Sequence, residues 1–195
     1  MPFPLESFTR TMVERHFRRK NLEWTEDYFL RALDSSSKYD VYWAVLALRD
    51  CGTTRCIPAL KAKLDHSMRD VKSTSILTIA HIAGASETLL FAEALLSPSY
   101  REKGYAMWAI RDAADGRAVE SVLAYFRKNM AKLRRGELVN GTLADGLEYL
   151  GRHASGHPAI RACFLQVRSA WDHLPSGERD EILKRMPDFV GSSPD

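Results

Sequence analysis

Several groups of residues in this sequence have types and spacings that could do chemistry. His153 and His157, in GRHASGHPAI, have a separation used by metal ligands. They straddle a glycine-containing turn before Pro158 and have no carboxylate or thiol beside them at helical spacing, so they read as an exposed loop residue and a helix-start residue. Cys51 and Cys56 lack a second Cys or His pair at ligand spacing. With Cys163 they make three cysteines, an odd number, all within apolar helical patterns. They read as reduced thiols packed as small hydrophobes in a cytoplasmic protein. Trp108 and Asp112 stand at i and i+4, which puts a ring and a carboxylate on one helix face with Arg111 adjacent. Arg49/Asp50 and Arg111/Asp112 are cation and carboxylate neighbours that occur twice in register. A catalytic pair occurs once in an active site. A pair copied at a fixed offset reads as repeat-structural, with Asp accepting hydrogen bonds from the next turn and Arg packing across a unit interface. No catalytic residue, metal site or cofactor is therefore assigned, and the chain reads as non-enzymatic.

Basic residues collect in two places: Arg15, Arg18, Arg19 and Lys20, and then Arg127, Lys128, Lys132, Arg134 and Arg135. The 195 residues hold 28 Lys+Arg against 25 Asp+Glu, a net charge of +3. Residues 1–20 account for it, since Arg10 and the first cluster outnumber Glu6 and Glu14 by 5 − 2 = +3, leaving the rest balanced at 23 − 23. Such clusters are solvated faces or contact ridges for an acidic protein surface or for phosphate. With 45% hydrophobic and 27% charged residues, the composition is that of a globular protein and excludes collagen, disordered tails and cysteine-stapled miniproteins. The N-terminal stretch lacks the apolar run and cleavage site of a secretory signal. No run of about 20 apolar residues is evident, so no membrane association is expected.

The elements that must position these groups are helices in a repeat. Shifted by 62 residues, Ala44, Ala47, Leu48, Arg49, Asp50, Arg55 and Ile57 meet Ala106, Ala109, Ile110, Arg111, Asp112, Arg117 and Val119. The half period also appears, because Leu33, Leu64, Leu95 and Phe126 are each 31 residues apart. Val41, Ala44, Val45 and Leu48 mark one face of a 3.6-residue helix, and no segment alternates as a strand would. Each unit then holds two helices, and the chain is all α. Capping signals agree, with Thr25, Thr54, Ser86 and the Ser97/Pro98 pair at helix starts and Gly52, Gly84, Gly116, Gly136 and Gly151 at ends. The predicted helices run over 6–20, 25–34, 38–50, 55–65, 69–83, 86–96, 99–113, 117–135, 137–151, 157–172 and 176–186.

A helix ending A-L-R-D-x-G, a short turn and R-x-I-P-A-L-x-x-x-L-D, at Ala47–Asp50, Gly52, Arg55–Leu60 and Leu64–Asp65, resembles HEAT repeats. It is most similar to the short bacterial type first associated with phycobilisome linker-chromophore lyases. The resemblance covers about residues 25–172, with Ala80 and His81 departing from the Arg and Asp of neighbouring units. It implies a right-handed α–α superhelix, a HEAT-like solenoid of about four helix pairs plus capping helices, because one pair cannot bury its apolar face alone. Residues 1–190 would form a single domain. Within it 1–24 form an N-terminal capping helix, 25–172 the repeats, and 173–190 a C-terminal capping helix with Ile182, Leu183 and Met186 on one side. The tail 191–195 would be disordered.

In HEAT units the second helices usually line the concave surface. That implies a strip of Ala59, Ala62 and Lys63, then Leu90, Glu93 and Ala94, then Glu120, Ser121, Ala124 and Tyr125, small and apolar with few charges, as in a protein-binding groove. Lys63, Leu90, Glu93, Ser121 and Tyr125, with the ridge Arg127, Lys128, Lys132, Arg134 and Arg135, are the expected partner-binding residues. The expected function is a cytoplasmic protein-binding scaffold of adaptor, regulatory or toxin-immunity type, whose partner is another protein. One alternative is a nucleic-acid binder resembling the alkylpurine DNA glycosylases built from HEAT-like repeats, using Trp108/Asp112 and the basic clusters. Trp108 aligns with Leu46, which suggests a core or interface position. The other alternative, a bilin lyase-like protein, rests on the repeat family only.

Overall fold

The structure, a computed structural model, describes residues 7–135, 137 and 142–191. All regular elements among them are helical: α1 Ser7–Phe17, α2 Glu26–Ala32, α3 Lys38–Cys51, α4 Ile57–Ala62, α5 Arg69–Ala83, α6 Thr88–Leu96, α7 Lys103–Ala113, α8 Val119–Arg134, α9 Thr142–Arg152, α10 Pro158–Ser169 and α11 Ser176–Arg185. The single domain read over 1–190 resolves into two compact units, Met1–Glu87 and Thr88–Asp195. The first six residues of the expected N-terminal cap, Gly136, and residues 192–195 of the expected disordered tail lie outside the described residues.

The 62-residue period survives in the turn chemistry. Gly52 and Ala114 leave α3 and α7 with nearly equal extended dihedrals (φ −77°, ψ 151° and φ −78°, ψ 149°). Their N–H groups donate to the carbonyls of Leu48 at 2.8 Å and Ile110 at 3.0 Å. One residue later a side-chain oxygen caps a 3₁₀ turn. Thr53 accepts from the Arg55 N–H ahead of Thr54–Cys56, and Asp115 accepts from the Arg117 N–H ahead of Gly116–Ala118. The expected caps shift accordingly: Thr53 takes the place read for Thr54, and Gly116 opens an element where it was expected to end one. A threonine and an aspartate do the same work because each carries an oxygen acceptor on a side chain short enough to reach the N–H two residues on.

In the first unit α1, α3 and α5 lie side by side, α2 packs on α3, and α4 packs on α5. The apolar stripes predicted from 3.6-residue spacing meet there, burying Val13, Phe17, Phe29, Leu33, Val45, Leu48, Leu60, Ile76 and Ile79. α1 packs on α3 with Val13 and Phe17 buried and Phe17 edge-on to Tyr28 and Phe29, while Phe8 is 72% exposed. α5 ends where Gly84 adopts φ +55°, a left-handed conformation that L side chains resist.

In the second unit α7, α9 and α11 form one layer, and α6, α8 and α10 form the other, with α6 also against α7. Phe91, Leu95, Met107, Ile110, Phe126, Leu147, Tyr149 and Leu150 are its core. α7 starts later than Ser97/Pro98 suggested. Instead of capping a helix start, Ser97 accepts from the Ser99 N–H in a turn, and Lys103 Nζ donates to the carbonyls of Ala94 and Ser97, closing the α6 terminus. At the chain end Ile182 is buried as expected, but Leu183 is 37% exposed, and Phe189 fills the space against Phe164 and Trp171 instead.

One stretch, 69–96, does reach the length and mean hydropathy (1.4) of a membrane-crossing segment, contrary to the sequence reading. Its run includes the Gly84 break, and α5 alone, at 15 residues, would span only about 22 Å against about 30 Å of hydrocarbon. Val71, Ile76, Ile79, Phe91 and Leu95 within it are buried as core residues.

Gly146 of α9 is a tight packing point of the second unit. A Cβ there would stand 2.6 Å from Phe126 Cζ and 3.1 Å from Met107 Cε, both side chains fully buried. Gly146→Ala is therefore expected to lower unfolding free energy by about 1–3 kcal/mol, opposite to the usual helix gain of up to about 1 kcal/mol. A urea midpoint at or above that of the parent chain would contradict this.

Candidate functional site

α8 is the longest helix and carries a regular division of faces. Val119, Val122, Leu123, Phe126, Met130 and Leu133 point inward. At about 100° per residue, Glu120, Ser121, Ala124, Lys128, Ala131, Lys132 and Arg135 occupy the opposite side, with Arg127 and Arg134 on the flank beside Leu123. Arg127, Lys128, Lys132, Arg134 and Arg135 are all exposed. Arg135 is tied to Glu137 at 2.7 Å, and Arg127 reaches Glu120 only at 4.0 Å. Lys128 lies close enough to Lys103 for its charge, after burial, to help lower that ammonium's pKa.

The helices beside α8 extend this face. On α6 Glu93 is exposed and Leu90 half-buried, as the strip requires, while Ala94 is buried. Leu89 and Leu96, four residues before Glu93 and three after it, stand out at 61% and 41% exposure and were missed by the sequence reading. Their spacing from Glu93 was the signal that could have found them. On α10 Arg161 and Leu165 are exposed, Leu165 at 45%. Ser121 is half-buried.

Tyr125 departs from the expected groove. It is 6% exposed, its hydroxyl accepts from Thr142 at 3.1 Å, and burial pushes its pKa up. It belongs to the interior between α8 and α9, since it sits at the border of α8's outer arc and the start of α9 covers it. In the first unit Lys63 is half-buried, with Asp34 at 3.7 Å.

The two Arg–Asp pairs have different surroundings. Asp50 accepts from Trp24 Nε1 at 2.9 Å and from Arg10 at 3.5 Å, while Arg10 lies 4.4 Å over the Trp24 ring. It thus ties α1 and the segment after it to α3, and does not bond to the next turn. Arg49 finds no such partner, and its buried Nε is unsatisfied. Arg111 bonds to Asp112 and to Asp145 of α9, which also accepts from Arg185 of α11. Arg185 reaches Glu148 at 3.2 Å and Glu181 at 2.7 Å. Asp112 itself is half exposed. Trp108 is 42% exposed, stacked on Tyr105 at 6.4 Å and flanked by Arg111 at 5.6 Å, so of the core and interface positions its alignment with Leu46 suggested, the core one is excluded. Tyr105 and Trp43 are both half-buried.

The N-terminal basic cluster loses a member. Lys20 Nζ donates to Asp40 at 2.5 and 2.7 Å, joined by His16 Nε2 at 2.7 Å and Ser35 Oγ at 2.8 Å. Burial would raise the Asp40 carboxyl's pKa, but these donors and the Lys20 charge hold it down at about 2. Arg15, Arg18 and Arg19 remain exposed.

His153 is half-buried against Tyr149, ring centroids 4.8 Å apart, and is not the exposed loop residue expected. His157 precedes α10, its Nε2 3.8 Å from Glu120. Among the described residues no group of three or more His, Cys, Asp or Glu is placed to hold a metal ion. Cys51, Cys56 and Cys163 are not in disulfides, and burial pushes each thiol up to about 11. At pH 7.5 about one thiol in three thousand is then ionised. Thiol-disulfide reagents are expected to label the native chain slowly and all three sites rapidly in denaturant. Native labelling as fast as in the unfolded chain would contradict the burial.

Residues 40–66, from the first turn of α3 past α4, match the family model described as PBS lyase HEAT-like repeat. The match falls on the helix pair whose residues carried the resemblance, and this all-helical chain thus contains a HEAT-like repeat. Comparison with curated proteins and with solved structures found no match.

Proposed function

We propose that this chain is a non-enzymatic HEAT-like scaffold that binds another protein through its second-helix layer, in the cytoplasm, as an adaptor, regulatory or toxin-immunity protein. The superhelical stacking of all its helix pairs is part of the proposal. Its main support is the layer of α6, α8 and α10, where leucines are exposed on α6 and α10 and five basic side chains on α8. Apolar residues set within a charged surround mark contact surfaces, and helical repeats present broad faces of this kind. The repeat match supports the scaffold class and leaves the type of partner to experiment. A photo-crosslinking residue at position 93 should give a discrete protein adduct in cells, and one at position 112, on the other layer, should not. No adduct at 93, or equal adducts at both, would refute the proposal.

A second reading, a nucleic-acid binder acting on bases, is favoured by one observation, the half-exposed Trp108 stacked on Tyr105 with Arg111 beside it. It requires duplex DNA affinity that falls steeply with salt. A bilin lyase-like role rests on the family description, and no residue group is assigned to it.

A further inference from the structure

We propose that the partner segment recognised by the α6, α8 and α10 face is an acidic amphipathic helix. Its carboxylates would lie along Arg127, Lys128, Lys132 and Arg134, and its apolar stripe against Leu89, Leu96 and Leu165. This deepens the scaffold reading and rests on it.

Charge complementarity carries the inference. The four cations are exposed along α8, and the described acids near them, Glu93, Glu120 and Glu137, are fewer, with Glu137 bound to Arg135 and also under the influence of the Lys132 charge. Arg127 has one distant acid, and Lys128, Lys132 and Arg134 have no ion pair among the described residues. The Arg127 charge opposes part of the rise of the Cys163 thiol on α10, and the Lys128 charge acts on Lys103, whose ammonium donates to the carbonyls that end α6. Leu96 and Leu165 are exposed on α6 and α10, the two helices that pack against α8.

The same features weigh against duplex DNA. A phosphate backbone gains nothing from the exposed leucines beside the cations. An acidic helix uses both, placing Leu side chains on the exposed leucines while its carboxylates meet the cations. Basic side chains at a rim act chiefly through attraction at distance, so binding should weaken with salt.

The test is fluorescence anisotropy on the intact chain with three labelled probes. They are a Glu/Leu amphipathic peptide of about 18 residues, a Glu/Ser peptide of equal charge, and a duplex DNA of about 20 base pairs. The expected order is Glu/Leu peptide tightest, with at least tenfold loss in the Arg127→Glu/Lys128→Glu/Lys132→Glu variant and in Leu165→Glu. These exposed changes should leave the unfolding midpoint unmoved, which a parallel melt checks. Failure of the Glu/Leu peptide to bind, equal binding by the charge-reversed chain, or tighter binding of DNA overturns the acidic-helix assignment. A position-93 crosslink that persists in the charge-reversed chain would leave the scaffold reading standing while removing this one.

Discussion

Asp40→Ala is expected to destabilise the first unit by about 2 kcal/mol, read as a lower midpoint in urea unfolding. The aspartate side chain is 10% exposed and gathers Lys20, His16 and Ser35 from the N-terminal cap and the turn before α3. Its pKa falls from an ordinary 3.8 to about 2, and each pKa unit corresponds to about 1.4 kcal/mol. Removing it leaves two basic groups without their acceptor. Lys20, 47% exposed, recovers hydration, which keeps the loss below that of a fully buried broken pair, about 3–5 kcal/mol. The sign with pH follows from the direction of the shift. A carboxyl depressed on folding contributes its full stabilisation above its unfolded value of 3.8 and loses it as pH falls through about 2. The parent chain should therefore weaken between about pH 4 and pH 2 more steeply than Asp40→Asn. Equal slopes for the two would rule out Asp40 as the origin.

In the second unit, Asp145→Ala is expected to cost about 3 kcal/mol. The carboxylate is 13% exposed and bonds to Arg111 and Arg185, whose side chains are themselves only 18% and 24% exposed. It joins α7, α9 and α11. Without it the two guanidinium groups face one another across the gap, each retaining other acids: Asp112 for Arg111, and Glu148 and Glu181 for Arg185. Those remaining pairs are more exposed and restore only part of the loss. Asp112→Ala, by contrast, removes a half-exposed acid and should change stability by less than about 0.5 kcal/mol. Adding Arg185→Met to Asp145→Ala should recover part of the lost stability by removing one uncompensated charge. A similar cost for Asp112→Ala and Asp145→Ala would contradict the bridging role. Both changes lie away from the α8 face, so peptide binding there should persist in chains that remain folded.

The two Arg–Asp pairs show how far sequence similarity carries. Their identity at an offset of 62 correctly marks two equivalent helix ends, with matching carbonyl acceptors and matching 3₁₀ turns. What the charges touch differs. Asp50 meets Trp24 and Arg10 from the cap region, whereas Arg111 meets Asp145 from the following helix pair. Arg49 Nε, buried, is left without a partner, and its charge helps lower the pKa of His81 on the following helix, after burial. Repetition copies the backbone path, while the side-chain partners depend on what each neighbouring unit offers.

The residues proposed to meet a partner could be read from sequence to the extent that a single helix decides exposure. The apolar stripe of α8 is nearly half its circumference, so Arg127, Lys128, Lys132, Arg134 and Arg135 had to lie outside it. Tyr125 lies at the edge of that stripe, and only the arrival of α9, with the Thr142 hydroxyl, turns it into an interior residue. Lys20 looked like one more surface cation because its acceptor, Asp40, stands 20 residues away in sequence. The alignment of Trp108 with Leu46 left a core or an interface position open, and the packed fold puts the ring on the α7 surface, stacked on Tyr105.

The helical class, the period seen in the turns and many of the helix ends were thus set locally, because spacing along one chain fixes helix faces, caps and turns through contacts a few residues long. The packed fold alone settled which charges are neutralised inside, which ring is covered, and which leucines and basic side chains stay exposed. Those outcomes depend on contacts between helices far apart in sequence, where a shift of one residue around the helix axis exchanges a solvated cation for a paired one.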